Sequence, residues 1–197
     1  MLKAVLDTQV LLRGAASARP TVTAKLEREG VADKYSNFVE LANSETRGRD
    51  FRIRLRRRKS ATVIIAPHGG GIAPGTSEIA EAIAAQDHSF YAFEDIKARG
   101  NRDLHITSSR FDEARCVTLA AASARAVTIH GEDSDEHVAY LGGLDGQTIQ
   151  RLGALLTRRG FDVRKHPSIV LQLSTRGRRT TTVRFTKFVA AVREALG

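Results

Sequence analysis

A continuous apolar run, TVIIAP at 62–67, is followed at once by a histidine, three glycines and the start of a helical pattern. A strand without polar alternation has to be covered on both faces, as in a parallel or mixed sheet flanked by helices. The arrangement recurs at AVTI, 126–129, which also ends on a histidine and a glycine. Around these runs, strand and helix patterns alternate. MLKAVLDTQVLL at 1–12 reads as a short strand and turn, and 24–45 is helix-like with a break near Gly30. FRIRLRRR and SATVIIAP suggest two strands joined by a charged turn, and SFYAFED and DLHITSS two more. EIAEAIAAQ, FDEARCVTLAAASA, DGQTIQRLGALLTRRG and VRFTKFVAAVREAL read as helices, with FDVRKH and SIVLQLS as late strands. The pattern predicts an α/β fold with a mostly parallel or mixed central sheet flanked by helices. With 197 residues, one core is expected, giving a single domain over 1–197 in which 1–32 forms an N-terminal extension.

The net charge of +9 favours an anionic partner. Its densest stretch, RIRLRRRK at 52–59, reads as an amphipathic strand with Phe51, Ile53 and Leu55 inward and Arg52, Arg54 and Arg56 on the wet face. There is no tryptophan and no recognisable nucleic-acid motif, so a specific nucleic-acid partner is not expected. Nor does any apolar run reach the roughly 18 residues a membrane span needs. The N-terminus turns charged too early for a signal peptide, which predicts a cytoplasmic protein. A single cysteine, Cys116, leaves no internal disulfide and no Cys-rich zinc site. Oligomeric state is not legible.

The chemistry concentrates where strands end. His68 closes TVIIAP and His130 closes AVTI, each with glycine next, and ligands of open α/β sheets collect beyond strand carboxyl ends. Two neutral imidazoles at matching strand ends suit zinc, whose catalytic sites take three protein ligands. The nearest third candidate is Glu78, just inside a helix that Thr76 or Ser77 can cap; its alternative role is to favour the helix dipole. The glycine run carries neither GxxxxGKS/T nor GxGxxG, so no nucleotide fingerprint is present.

APHGGGIAPGTSEIA, YAFEDIK, GNRDLHITSSRFDEA and IHG with LGGLD together resemble the poly-gamma-glutamate hydrolase family of phages and bacteria, from about Asp33 to the C-terminus. That resemblance implies a zinc carboxypeptidase-like fold and a zinc-dependent hydrolysis of amide bonds in an anionic glutamate polymer. His68 and His130 would be metal ligands, and release by phage-induced lysis would follow from a phage setting. Two positions depart from the family pattern. IEPGTSE is replaced by Ile72-Ala73-Pro74, and a QLELS-like strand by VLQLSTRGRR, which puts Gln172 where a general-base glutamate is expected. A loop with an Asn-Arg-Gly stretch before this strand is also missing. Glutamine cannot take a proton from metal-bound water. A catalytically degenerate binding protein of the same fold is therefore the alternative to an active zinc hydrolase.

Other residues have weaker standing. Arg110, Arg176 and Arg178 are candidates for substrate carboxylates, since a guanidinium matches a carboxylate's fork. His105 can line a pocket or support one; Asp112 and Glu113 can cap a helix; Glu94 and Asp95 fit a pocket or an acidic turn. His88, His137 and His166 read as surface residues. Separately, MLKAVLDTQVLLRG resembles the opening of PIN-type nucleases, with Asp7 as the metal-holding aspartate and Gln9 where asparagine is usual.

Overall fold

The structure, a computed structural model, describes residues 2–4, 6–9, 33–131, 138–166, 172–175 and 182–197. Two short strands, β1 (Leu2–Ala4) and β2 (Leu6–Gln9), precede α1 (Phe38–Ser44) and β3 (Phe51–Arg56). Then come β4 (Thr62–Gly70), α2 (Thr76–Ala84), β5 (Ser89–Asp95), and two 3-10 turns, Asn101–Leu104 and Ser108–Arg110. The chain continues with α3 (Ala114–Ala121), β6 (Arg125–Thr128), β7 (His130–Gly131), β8 (Val138–Gly143) and α4 (Gly146–Arg158). It closes with β9 (Asp162–Lys165), β10 (Gln172–Thr175) and α5 (Thr182–Leu196).

All of these strands except the two-residue β7 form one mixed sheet in the order β1-β10-β8-β2-β6-β4-β5-β3, with β9 beside β8. The expected α/β architecture is therefore present. β4 runs parallel to both neighbours, β5 and β6, and is buried along nearly its whole length. Period-two alternation sorts the central strands onto two cores. Ile64, Ala66, Phe90, Ala92 and Val127 face α2, α4 and α5, whereas Val63, Ile65, Tyr91, Phe93 and Ala126 face α1, α3 and the 3-10 turns.

Strand direction divides the two edges of the sheet. β4, β5 and β6 point one way; β2 is antiparallel to β6 and parallel to β8, which is parallel to β9. The carboxyl ends of β4 and β6, with His68 and His130, thus lie at the opposite edge from the carboxyl ends of β8 and β9.

Three local expectations need correction, and one is refined. β3 and β4 are the two strands expected on either side of a charged turn, with β5 between them in the sheet. DLHITSS is no strand: its backbone makes the two 3-10 turns, and its polar groups are held by residues outside any sheet, as described below. VAYLGG, 138–143, was not anticipated and supplies β8, a strand bonded to β10, β2 and β9. The cap of α2 is Gly75 in the left-handed region (φ 88°), while Thr76 and Ser77 are buried in the first turn.

The arginine face of β3 is not simply solvated. Arg52 and Arg54 pair with Glu94, and Arg54 and Arg56 pair with Glu81 of α2. The guanidinium groups of Arg54 and Arg56 also lie over the Phe90 ring, 5.4 and 4.8 Å from its centroid. The paired arginines, Arg56 foremost, hold the Glu81 carboxyl below its usual range. Much of the densest positive stretch is thus compensated within the fold.

The glycines after His68 are required by close packing. A side chain on Gly69 would meet Ser77, and one on Gly71 would meet Asn101 and the Asp95 carboxylate. Gly70 has φ +62°, and a β-carbon there would collide with the Asp95 backbone carbonyl. This settles the glycine run as a tight approach of β4 to β5 and α2. Gly70→Ala combines a left-handed backbone with overpacking and is expected to cost about 3 kcal/mol of unfolding free energy in urea titration.

Candidate functional site

The register between β4 and β5 breaks between Ala66 and Gly69, and His68 sits in that break. Its backbone carbonyl accepts the Thr76 hydroxyl at 3.2 Å. The same hydroxyl donates to the Ala73 carbonyl at 2.8 Å, so one threonine ties the Ala73 turn to the histidine's own backbone. His130 follows β6, the parallel strand paired directly with β4. His68 and His130 are 5% and 6% exposed, and their Nδ1 atoms are 3.1 Å apart.

Donor logic fixes the protons. His68 Nε2 lies 2.8 Å from the Ile106 carbonyl oxygen, which can only accept, so Nε2 carries the hydrogen. Burial, with the neighbouring His105 contributing, pushes the His68 imidazolium down to about 3, so the ring is neutral and its Nδ1 is an acceptor. The His130 Nδ1–H must then donate to it. Burial, then His68 and His105, also hold His130 well below the usual histidine value. His130 Nε2 is left as an acceptor, with the Ser108 hydroxyl 3.5 Å away.

A supporting layer surrounds the pair. The His105 ring stacks on His68 with centroids 4.3 Å apart. Its Nδ1 meets Asp33 at 2.6 Å, and Asp33 also accepts the Thr107 amide and hydroxyl at 2.7 Å and Arg110 Nη2 at 2.6 Å. Asp33 therefore anchors the segment that carries the Ile106 carbonyl. Burial raises the Asp33 carboxyl, but the bonds from His105 and Thr107 outweigh it and leave the group below its ordinary value. Sequence reasoning missed Asp33, because a lone aspartate ahead of a helix carries no spacing that ties it to residues more than seventy positions away.

The remaining candidates divide clearly. Glu78 does not join the histidines: it is exposed in the first turn of α2. Among the described residues, no group of three or more His, Cys, Asp or Glu is arranged to hold a metal ion. Arg110 is half-exposed and engaged with Asp33. Gln172 stands in β10 opposite Tyr140, while Arg176, Arg178 and His137 lie outside the described residues. Glu113 caps α3 by accepting the Cys116 amide, and Asp112 accepts the Phe38 amide at 2.7 Å. Glu94 and Asp95 are both buried; Glu94 belongs to the arginine network, and burial raises the Asp95 carboxyl. His88 and His166 are half-buried rather than on the surface, His88 facing Ser60 and His166 facing the Tyr140 ring. Asp7 and Gln9 stand in β2 within the sheet.

The donor set can be tested against zinc directly. Two imidazole nitrogens bound tetrahedrally to one zinc at about 2.0–2.1 Å stand about 3.3 Å apart. The observed 3.1 Å is close to that, so the pair suits two of the ligands. A catalytic site needs a third protein ligand, and alanine at 73 offers no donor atom. The described residues therefore fit two-thirds of a catalytic zinc site.

A family model described as poly-gamma-glutamate hydrolase matches residues 35–190. The chain belongs to the poly-gamma-glutamate hydrolase family. Its relatives in Bacillus subtilis (strain 168) include the SPbeta prophage-derived UPF0714 protein YoqZ, 38% identical over 130 residues (66% of this chain, 47% of YoqZ). The UPF0714 protein YndL is 34% identical over 141 residues, 72% of this chain and 53% of YndL. The chain thus spans about half the length of the curated relatives it matches. Among solved structures, a bacteriophage poly-gamma-glutamate hydrolase superposes with TM-score 0.77 at 26% identity, covering 84% of this chain and 97% of that one. The zinc-free apo form of YndL gives 0.76 at 29% identity, covering 84% and 98%.

Two outcomes follow. Nitrogen-15 chemical shifts should report His68 protonated at Nε2 and His130 at Nδ1 in the metal-free protein; the reverse tautomers would contradict the hydrogen-bond assignment. Asp33 has a lowered folded-state pKa, so its contribution is present above the unfolded value of 3.8 and is lost as pH falls through the folded value. Asp33→Asn should therefore cost about 1–2 kcal/mol near neutral pH. The difference from wild type should shrink below about pH 4 in urea titrations.

Proposed function

We propose that this chain is a catalytically degenerate member of its family, which binds an acidic, polyglutamate-like polymer without cleaving it. The observation that carries this reading is the direct contact of His68 Nδ1 with His130 Nδ1, with no third His, Cys, Asp or Glu among the described residues placed to complete a metal site. Gln172 supports it independently, because an amide cannot serve as the base that activates water. The net charge of +9 suits a polyanion, and Arg110, Arg176 and Arg178 are the side chains proposed to meet its carboxylates. Arg110 would do so from its half-exposed position over Asp33.

A second reading, an active zinc-dependent amide hydrolase, draws on one specific observation: the 3.1 Å nitrogen separation already suits two ligands of one zinc. The two readings part on turnover. With zinc supplied, the wild-type protein should bind poly-gamma-glutamate, measured by fluorescence anisotropy of labelled polymer, and leave its length unchanged on gel filtration. Binding should weaken steeply with salt. Ala73→Glu combined with Gln172→Glu should produce shortening of the polymer that neither single variant gives. Cleavage by the wild type at the rate of the double variant would establish the hydrolase instead, and absence of binding would remove the polymer as ligand.

A further inference from the structure

At the opposite edge of the sheet, an open cleft of about 580 Å³ lies between the ends of β8 and β9 and the first half of α4. It exists because α4 is small where it faces the strands. Gly153 lets the helix approach until a β-carbon there would sit 3.4 Å from Leu141 and 3.9 Å from Val163, and Ala154 beside it fills little space. Ile149, Val163 and Leu144 give the cleft apolar walls, and Leu144 is 65% exposed at its rim. Few large apolar side chains among the described residues are as exposed as this one.

The opposite rim carries two basic residues, Arg164 and Lys165, with His166 next to them. Arg164, Lys165 and His166 follow one another along the end of β9 and all line the cleft. Their backbone is held in place, since β9 pairs in register with β8 and the His166 amide continues the ladder to the Leu141 carbonyl at 2.9 Å. Arg164 also meets Asp162 at 2.9 Å, an exposed ion pair of the kind that exchanges partners at little cost. The volume lies within the range of small-molecule sites, and the position is the carboxyl end of adjacent parallel strands. Strand direction places it away from His68 and His130.

We propose that this cleft is a second binding site, independent of the histidine pair, for an amphipathic monoanion: a single acyl chain against Leu144, Ile149 and Val163, with an anionic head at the Lys165 rim. The apolar walls remove the chain from water, which supplies the driving force, and the charged rim selects the head. A purely polar polyanion has no use for the apolar walls, so the occupant differs in chemistry from the polymer proposed for the other edge.

The probe is decanoate, followed by isothermal titration calorimetry on the full chain. One saturable site per chain is expected. Ala154→Trp, a change at an exposed helix position, should fill the cleft and abolish binding. Lys165→Glu should weaken it about tenfold without shifting thermal unfolding. His68→Ala should leave it unchanged, so this site fails or survives separately from the polymer reading. The proposal is overturned by the absence of saturable heat, by equal affinity for decanol, or by Lys165→Glu and folded Ala154→Trp both binding as wild type.

Discussion

A buried imidazole with an unpartnered nitrogen carries a desolvation cost, and this chain buries two imidazoles side by side. One directed sequence of donors meets that cost: His130 Nδ1–H to His68 Nδ1, then His68 Nε2–H to the Ile106 carbonyl. The rest of the site is arranged around it. The register break in β4 places His68, the Thr76 hydroxyl fixes its carbonyl, and Asp33 holds the 105–110 segment so that the Ile106 carbonyl is in reach. The glycines that follow allow β4, β5 and α2 to approach closely enough to bury the pair. The two Nδ1 atoms thus satisfy each other, so neither is left as an uncompensated polar group in the buried pair.

The parts of this arrangement that depend on local pattern were readable beforehand. TVIIAP and AVTI are apolar without alternation because both faces of their strands are covered, and the histidines at their ends follow from where those strands stop. The family motifs were likewise legible as strings. What could not be read was anything fixed by distant partners. LHITSS has strand-like composition, yet its polar groups bond to Asp33 and its Ile106 carbonyl to His68, so it turns instead of extending. Glu78 has the right residue type at a plausible spacing and still points to solvent, because a helix start fixes which of its first positions face the sheet. VAYLGG is too short and too glycine-rich to announce itself as a strand, although β8 bonds to three others.

Charge shows the same division between count and arrangement. The excess of arginine is evident from composition, but β3 spends much of its share on Glu81 and Glu94 and on the face of Phe90. Arg110 is likewise tied to Asp33. A separate basic stretch, Arg164 and Lys165, lies at the end of β9, on the opposite edge of the sheet from the histidines. No helix among the described residues is long and apolar enough to cross a membrane.

On the proposed reading, His68 and His130 are held by each other rather than by a tightly bound zinc. Zinc affinity, measured by competition with a chromophoric chelator on carefully demetallised protein, tests it most directly. The account predicts zinc binding no tighter than micromolar, strengthened many-fold by Ala73→Glu. Near one zinc per chain at nanomolar affinity in the wild type, lost in both His68→Ala and His130→Ala, would contradict it.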